Sequence, residues 1–193
     1  MNSHVMMMRQ AKQMLANNWL NAAIGTLIYA VISAAASFTS IGSLILYGSL
    51  IFGYTLFIAC LADTKVTKFD LLFRGFDRFV ETLVAGLLYA LIVTIGTMLL
   101  IVPGIIAACG LAQTFYIMVD DANISGTDAL QMSWNMMKGR KMDWFLLQLR
   151  FFGWALLCIL TLGIGCLFLN PYIYVTNLNY YRQLRYGNFL PAK

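Results

Sequence analysis

Apolar residues in this chain gather into long uninterrupted runs, and the residues between the runs alternate at helical spacing. Three times the sequence passes through an amphipathic stretch, an apolar segment, a glycine-bearing turn and a second apolar segment. The first unit takes Val5–Asn18, Trp19–Ser37, a turn at Phe38–Gly42 and Ser43–Leu61. The second takes Lys68–Glu81, Thr82–Ile101, a turn at Val102-Pro103-Gly104 and Ile105–Val119. The third takes Ser125–Lys141, Trp144–Thr161, a turn at Leu162–Gly165 and Cys166–Tyr181. Stepping on from the turn glycines at equal spacing pairs Gly42 with Gly48, Gly104 with Gly110 and Gly165 with Pro171. Internal repetition of this kind is sought before any other feature, because missing it misreads the whole fold.

Run length makes the segments helices that span a bilayer. About twenty residues at ~1.5 Å each cover ~30 Å, the thickness of the hydrocarbon core. Within lipid only helices or closed barrels satisfy the backbone, and the alternation of a barrel strand is absent. The fourth and sixth segments are shorter and fit by thinning the membrane or standing untilted. Pro103 suits the first turn of a helix, where its missing N–H costs nothing. The pattern predicts an all-α membrane protein: one domain over residues 1–193, with six transmembrane helices in three parallel hairpin repeats at about 5–63, 64–121 and 122–186.

Amphipathic stretches precede each pair. In Lys68–Leu83 the apolar positions Phe69, Leu72, Phe73, Phe76, Phe79, Val80 and Leu83 recur at i, i+3, i+4 and i+7. Met7, Met8, Ala11, Met14 and Leu15 give the N-terminus a similar stripe, and Ser125 with Asp128 forms a capping-box pattern before Leu130, Trp134 and Met137. Such helices lie in the cytoplasmic interface with the apolar face toward lipid, or pack that face on the protein itself.

Composition agrees. The 193 residues are 61% hydrophobic and 11% charged, against about 25% charged residues in an ordinary soluble domain, so soluble, disordered and collagen-like readings fall away. Of 13 Lys and Arg, all but Arg150 lie at the chain ends or in the two long connections. They are Arg9 and Lys12; Lys65, Lys68, Arg74 and Arg78; Lys138, Arg140 and Lys141; and Arg182, Arg185 and Lys193. The three short turns are uncharged, so the positive-inside rule puts both termini and both long connections in the cytoplasm. That placement accounts for the +5 net charge without nucleic acid. Arg9 and Lys12 precede an apolar run too long for a signal peptide, which reads as an uncleaved first span.

Chemistry is sparse. Cys60, Cys109, Cys158 and Cys166 sit in apolar runs as small packing residues, although Cys158 and Cys166 flank one turn. His4 is the sole histidine, so neither a His-based metal site nor a triad can be assembled. No catalytic, cofactor or metal residues emerge. Arg150 is the one charge inside a span, and an intramembrane arginine either marks a polar site or snorkels. Helical side chains tilt toward the N-terminus, which aims Arg150 back toward Asp143 and the cytoplasmic interface. Asn170-Pro171 interrupts the sixth span, and freed carbonyls there serve ion or substrate sites in transporters or merely accompany close packing. Arg150, Asn170 and Pro171 are therefore the candidate intramembrane polar site. Gln113, Thr114, Asn177 and Asn179 are further polar candidates, with interhelical hydrogen bonds as their ordinary use. Trp19, Trp144, Tyr180, Tyr181 and Tyr186 read as an aromatic belt, and Asp120 and Asp121 as a helix exit.

Several motifs carry a likeness: Ile101-Val102-Pro103-Gly104-Ile105-Ile106; Met136-Met137-Lys138-Gly139; Gly153-Trp154-Ala155-Leu156 running into Thr161-Leu162-Gly163-Ile164-Gly165; Pro171-Tyr172-Ile173-Tyr174; and Tyr181-Arg182. Together, from about Ala11 to Arg185, they resemble a bacterial family of small integral membrane proteins, domain of unknown function 975. That family is similar to the membrane domain attached to some glycerophosphodiester phosphodiesterases. The resemblance implies a multi-pass protein of the bacterial plasma membrane and supplies no catalytic residues. The expected function is non-enzymatic binding of lipid or of a protein partner, including a second copy of the chain. Lys68, Arg74, Arg78, Lys138, Arg140 and Lys141 would meet anionic headgroups. The alternative is a small transporter or channel-like component. An enzyme would need polar groups converging at the cytoplasmic rim, such as Asp120, Asp121 and Arg150.

Overall fold

The computed structural model describes residues 2–16, 18–37, 40–64, 66–160 and 163–187. Among these are nine α-helices and two short 3-10 turns, with no strand. The helices are α1 (Asn2–Met14), α2 (Trp19–Ser37), α3 (Ser40–Thr64), α4 (Phe79–Leu99), α5 (Ile101–Leu111), α6 (Thr114–Asp120), α7 (Gly126–Met136), α8 (Lys141–Leu160) and α9 (Ile164–Tyr186). Phe38 and Thr39 of the first expected turn, Thr161 and Leu162 at the third, and Lys65 and Lys193 lie outside the described residues.

The long apolar runs are helical, one of them in two pieces, and neighbours in sequence pack as hairpins: α2 on α3, α4 on α5, and α8 on α9. Helix α3 lies at the centre, touching α2, α4, α6 and α9. Its buried face supplies Phe52, Tyr54, Phe57, Ile58 and Leu61 to the main core. Tyr54 stacks on Tyr29 of α2 and meets Tyr174 of α9 edge-on, each at 4.7 Å between centroids. The Tyr54 hydroxyl also bonds the Thr26 hydroxyl at 2.8 Å.

The turn between α4 and α5 falls at Leu100, which is extended, and Pro103 sits in the first turn of α5. Here a hairpin forms as the sequence predicts, two residues earlier than expected. The hairpin tip is bare: Met98, Leu99, Leu100, Ile101 and Val102 are all exposed. An apolar patch of that kind on a monomer is a surface for lipid or a partner, not for water.

Two amphipathic stretches differ from expectation. Lys68–Leu83 does not form one interfacial helix. It makes 3-10 turns at Phe69–Leu72 and Arg74–Phe76, then enters α4 at Phe79. The reason is close packing against α3. A Cβ on Gly75 would lie 1.9 Å from the Ser49 carbonyl oxygen, and one on Gly53 would lie 2.1 Å from the Leu72 carbonyl. Only glycine admits backbones at that distance, and Leu71 and Leu72 are buried as a result. The N-terminal stripe is likewise turned inward. Met7, Ala11, Met14 and Leu15 are buried, with α1 lying on α9. At α7 the capping box forms: the Ser125 hydroxyl accepts the Asp128 N–H at 3.2 Å and donates to its carboxylate at 2.7 Å.

The second apolar run of the middle unit breaks at Ala112–Gln113 into α5 and α6. A side chain from α7 occupies the gap. Ser133 donates its hydroxyl to the Gly110 carbonyl at 2.9 Å and accepts the Gln113 N–H at 3.2 Å. Insertion of a polar side chain into the hydrogen-bond ladder is a recognised cause of helix interruption.

Candidate functional site

Two cavities lie between the helices. The first is a groove of about 480 Å³ beneath α1, walled by Trp19, Trp154, Phe168, Leu169 and Tyr172, with Met8 and Lys12 of α1 along its edge. Its walls are apolar, and among the described residues that line it Lys12 alone is charged. The groove exists because α1 is held to α9 at two points. Tyr172 donates its hydroxyl to the Met8 carbonyl at 3.2 Å, and Asn179 donates its amide to the Met7 carbonyl at 3.4 Å. Trp19 and Phe151 brace the Tyr172 ring at 6.2 and 5.7 Å.

The second cavity, about 260 Å³, adjoins the α5–α6 break. Tyr47 and Thr55 of α3, Tyr89 of α4, Trp144 and Gln148 of α8, and Asn177 of α9 face it, with Leu111 and Ala112 at the break itself. Gln148 donates its amide to the Asn177 side-chain carbonyl at 2.7 Å. Tyr116 donates its hydroxyl to the Tyr174 carbonyl at 3.3 Å.

The structure places the sequence-derived candidates elsewhere. Arg150 is exposed on α8 and Asn170 is exposed on α9, while Pro171 is buried inside α9. None of the three lines either cavity. Arg150 lies close enough to His4 of α1 to help lower the histidine pKa, after burial as the larger cause; Asp143 acts against it. Of the six expected headgroup contacts, Lys68, Arg74, Lys138 and Arg140 are exposed. Arg78 is half-buried, donating to the carbonyls of Met118, Asp121 and Ile124 at 3.4, 3.4 and 2.5 Å. Lys141 sits over the Trp134 ring with its ammonium 3.3 Å from the centroid. These two cations hold the bundle together.

Asp120, expected as a helix exit, is the centre of a clamp. Its Oδ2 accepts the hydroxyls of Tyr181 at 2.9 Å and Tyr186 at 2.6 Å and pairs with Arg185 Nε at 3.2 Å. Asp63 and Arg182 form a bidentate pair at 2.7 and 2.6 Å. Together they bring the polar ends of α3, α6 and α9 to one end of the molecule. Among the described residues no group of three or more His, Cys, Asp or Glu side chains could hold a metal ion. Sequence reasoning singled out Gln113, Thr114 and Asn177 as polar residues in apolar runs. It passed over Thr55 and Tyr89, whose residue types are common in any membrane helix, and read Trp144 as a belt residue, whereas it lines this cavity.

Four of the helical segments, Trp19–Ala36, Leu46–Thr64, Phe79–Leu99 and Ile101–Asp120, are long and apolar enough to cross a membrane. With a bare apolar hairpin tip and charges gathered at helix ends, this is the build of an α-helical membrane protein. Residues 95–188 match the family model described as Protein of unknown function (DUF975). The match is narrower than the likeness read from Ala11 to Arg185. No curated protein and no solved structure matches the chain.

Proposed function

We propose that the chain is a non-enzymatic, multi-pass protein of the bacterial plasma membrane that binds lipid in the groove beneath α1. The observation that carries this reading is the groove itself. Its volume of about 480 Å³ falls within the ~300–1,000 Å³ typical of small-molecule sites. Its aromatic and aliphatic walls suit an acyl chain, and Lys12 at the edge suits an anionic headgroup. A lysine beside an anionic surface contributes about 1 kcal/mol, enough to bias the choice of lipid without excluding others. Exposed Lys68, Arg74, Lys138 and Arg140 add to the same preference.

The architecture that goes with this reading has six spans: α2, α3, α4, α5 with α6, α8 and α9. At 20 and 23 residues, α8 and α9 reach ~30 Å or more. The three hairpins insert the same way up as repeat units, with both termini cytoplasmic. The clamps of Asp63 with Arg182 and Asp120 with Arg185 support this, because they gather charged helix ends on one side. A reporter fused at Pro103 is expected to face outward, and a cytoplasmic signal there would overturn the topology.

The lipid test is native mass spectrometry of the full chain released from detergent. The protein is expected to retain phosphatidylglycerol over phosphatidylcholine. Lys12→Glu should weaken the preference, and Met8→Trp, which fills the groove, should reduce retention of both. Equal retention of the two lipids by the unmodified chain, or undiminished retention by Met8→Trp, overturns the proposal. A small transporter or channel-like component is the second reading. One observation favours it: the polar cavity at the α5–α6 break.

A further inference from the structure

We propose that the cavity at the α5–α6 break is a second binding site, specific for a small uncharged molecule with hydrogen-bond acceptors on a flat, ring-sized body. This goes beyond lipid binding and concerns different residues.

Size comes first. At about 260 Å³ the space falls just short of drug-sized pockets, so its occupant is small. Charge comes next. Among the described residues no Asp, Glu, Lys, Arg or His lines it, and a charge taken there without a partner would meet a large desolvation cost. The occupant is therefore neutral. Shape follows from the walls: Tyr47, Tyr89, Phe115, Tyr116, Trp144 and Tyr174 all border the space. Rings prefer offset-stacked or edge-on partners, which favours a planar body over a flexible chain.

The polar groups set the rest. Thr55 is 1% exposed and lines the cavity, yet its hydroxyl has no hydrogen-bond partner. The Trp144 indole N–H, also on the wall, is buried and unpartnered. An indole N–H only donates. Buried polar groups in folded proteins are nearly always paired, and leaving one unpaired costs free energy. Two donors at one cavity, both unspent, call for a ligand that brings acceptor oxygens or nitrogens. At the break itself, Gln113 is fully buried with neither amide atom partnered. Interrupted helices are where membrane bundles build internal polar sites.

The test uses benzamide, benzoate, benzylammonium and toluene as probes of one ring size, titrated into the detergent-solubilised full chain and followed by ligand-observed NMR. Benzamide is expected to bind saturably. Benzoate and benzylammonium should bind at least tenfold more weakly, and toluene should show only detergent partitioning. Thr55→Val keeps the side-chain shape and is expected to weaken benzamide about tenfold (~1.4 kcal/mol) without lowering the melting temperature, because the lost hydroxyl had no partner. Thr55→Ser should restore affinity. Met8→Trp should leave benzamide binding unchanged, which separates this site from the lipid groove. Equal affinity for a charged congener, non-saturable benzamide binding, or unchanged binding in a well-folded Thr55→Val chain overturns the proposal.

Discussion

Replacing Ser133 with alanine removes one hydroxyl from a site where two helices depend on it. Ser133 is fully buried. Its oxygen bridges the Gly110 carbonyl and the Gln113 N–H, the two backbone groups that the α5–α6 interruption leaves open. Alanine fits the same space, so the loss is polar and not one of volume. A buried donor or acceptor stripped of its partner costs about 1–3 kcal/mol. Two such groups put Ser133→Ala at about 2–6 kcal/mol less stable. For a chain of this length a kcal/mol corresponds to about 2–4 °C, so a fall of roughly 4–24 °C is expected. Scanning fluorimetry of the detergent-solubilised chain reads the shift, with Gln131→Ala on the exposed face of α7 as the control expected to stay near zero. Hydrogen exchange provides the local readout: the Gln113 amide should lose protection more than its neighbours in α5. A melting temperature within about 2 °C of the parent, together with unchanged Gln113 protection, would refute the account of the break.

Other outcomes follow from the same contacts. Gly75→Ala should force the first long connection off α3, since its Cβ would meet the Ser49 carbonyl at 1.9 Å; a destabilisation at or above the ~1–3 kcal/mol of ordinary overpacking is expected in thermal unfolding. Arg78→Lys keeps the charge but loses the planar fork that reaches three carbonyls, and limited proteolysis should then cut the 121–125 loop faster than in the parent. Burial, followed by Arg150, holds the His4 pKa below 6.5. The unfolded chain therefore takes up the proton first, so stability is complete above pH 6.5 and declines as pH falls through that value. The melting temperature should drop between pH 7.5 and 5.5, and His4→Gln should remove most of that drop.

Much of the fold was legible because bilayer spans announce themselves by length and apolarity alone. Trp19–Ser37 matched a helix end to end, the Ser125 cap formed where its residues predicted, and the α4–α5 hairpin turned two residues before the predicted place. The connectors were not legible in the same way. Periodicity in Lys68–Leu83 records which residues are apolar, and an apolar face is equally satisfied by lipid or by α3. Glycines at 53 and 75 decided between them, and their meaning depends on a partner backbone distant in sequence. The same limit explains Asp120, whose neighbours Tyr181, Arg185 and Tyr186 come from the other end of the chain.

Candidate chemistry divided along that line too. Arg150 and Asn170 stood out as exceptions in apolar runs, but rarity along a chain does not specify direction, and both ended on exposed faces. Thr55 was unremarkable in sequence and Trp144 read only as a belt residue; both acquired interest when six helices closed around them. Local composition, in short, determined that this chain makes long apolar helices and roughly where they turn. Which polar groups meet, and which are left unspent around a cavity, was decided by packing between segments far apart in the chain, because hydrogen bonding is directional and short-ranged while hydrophobic burial is neither.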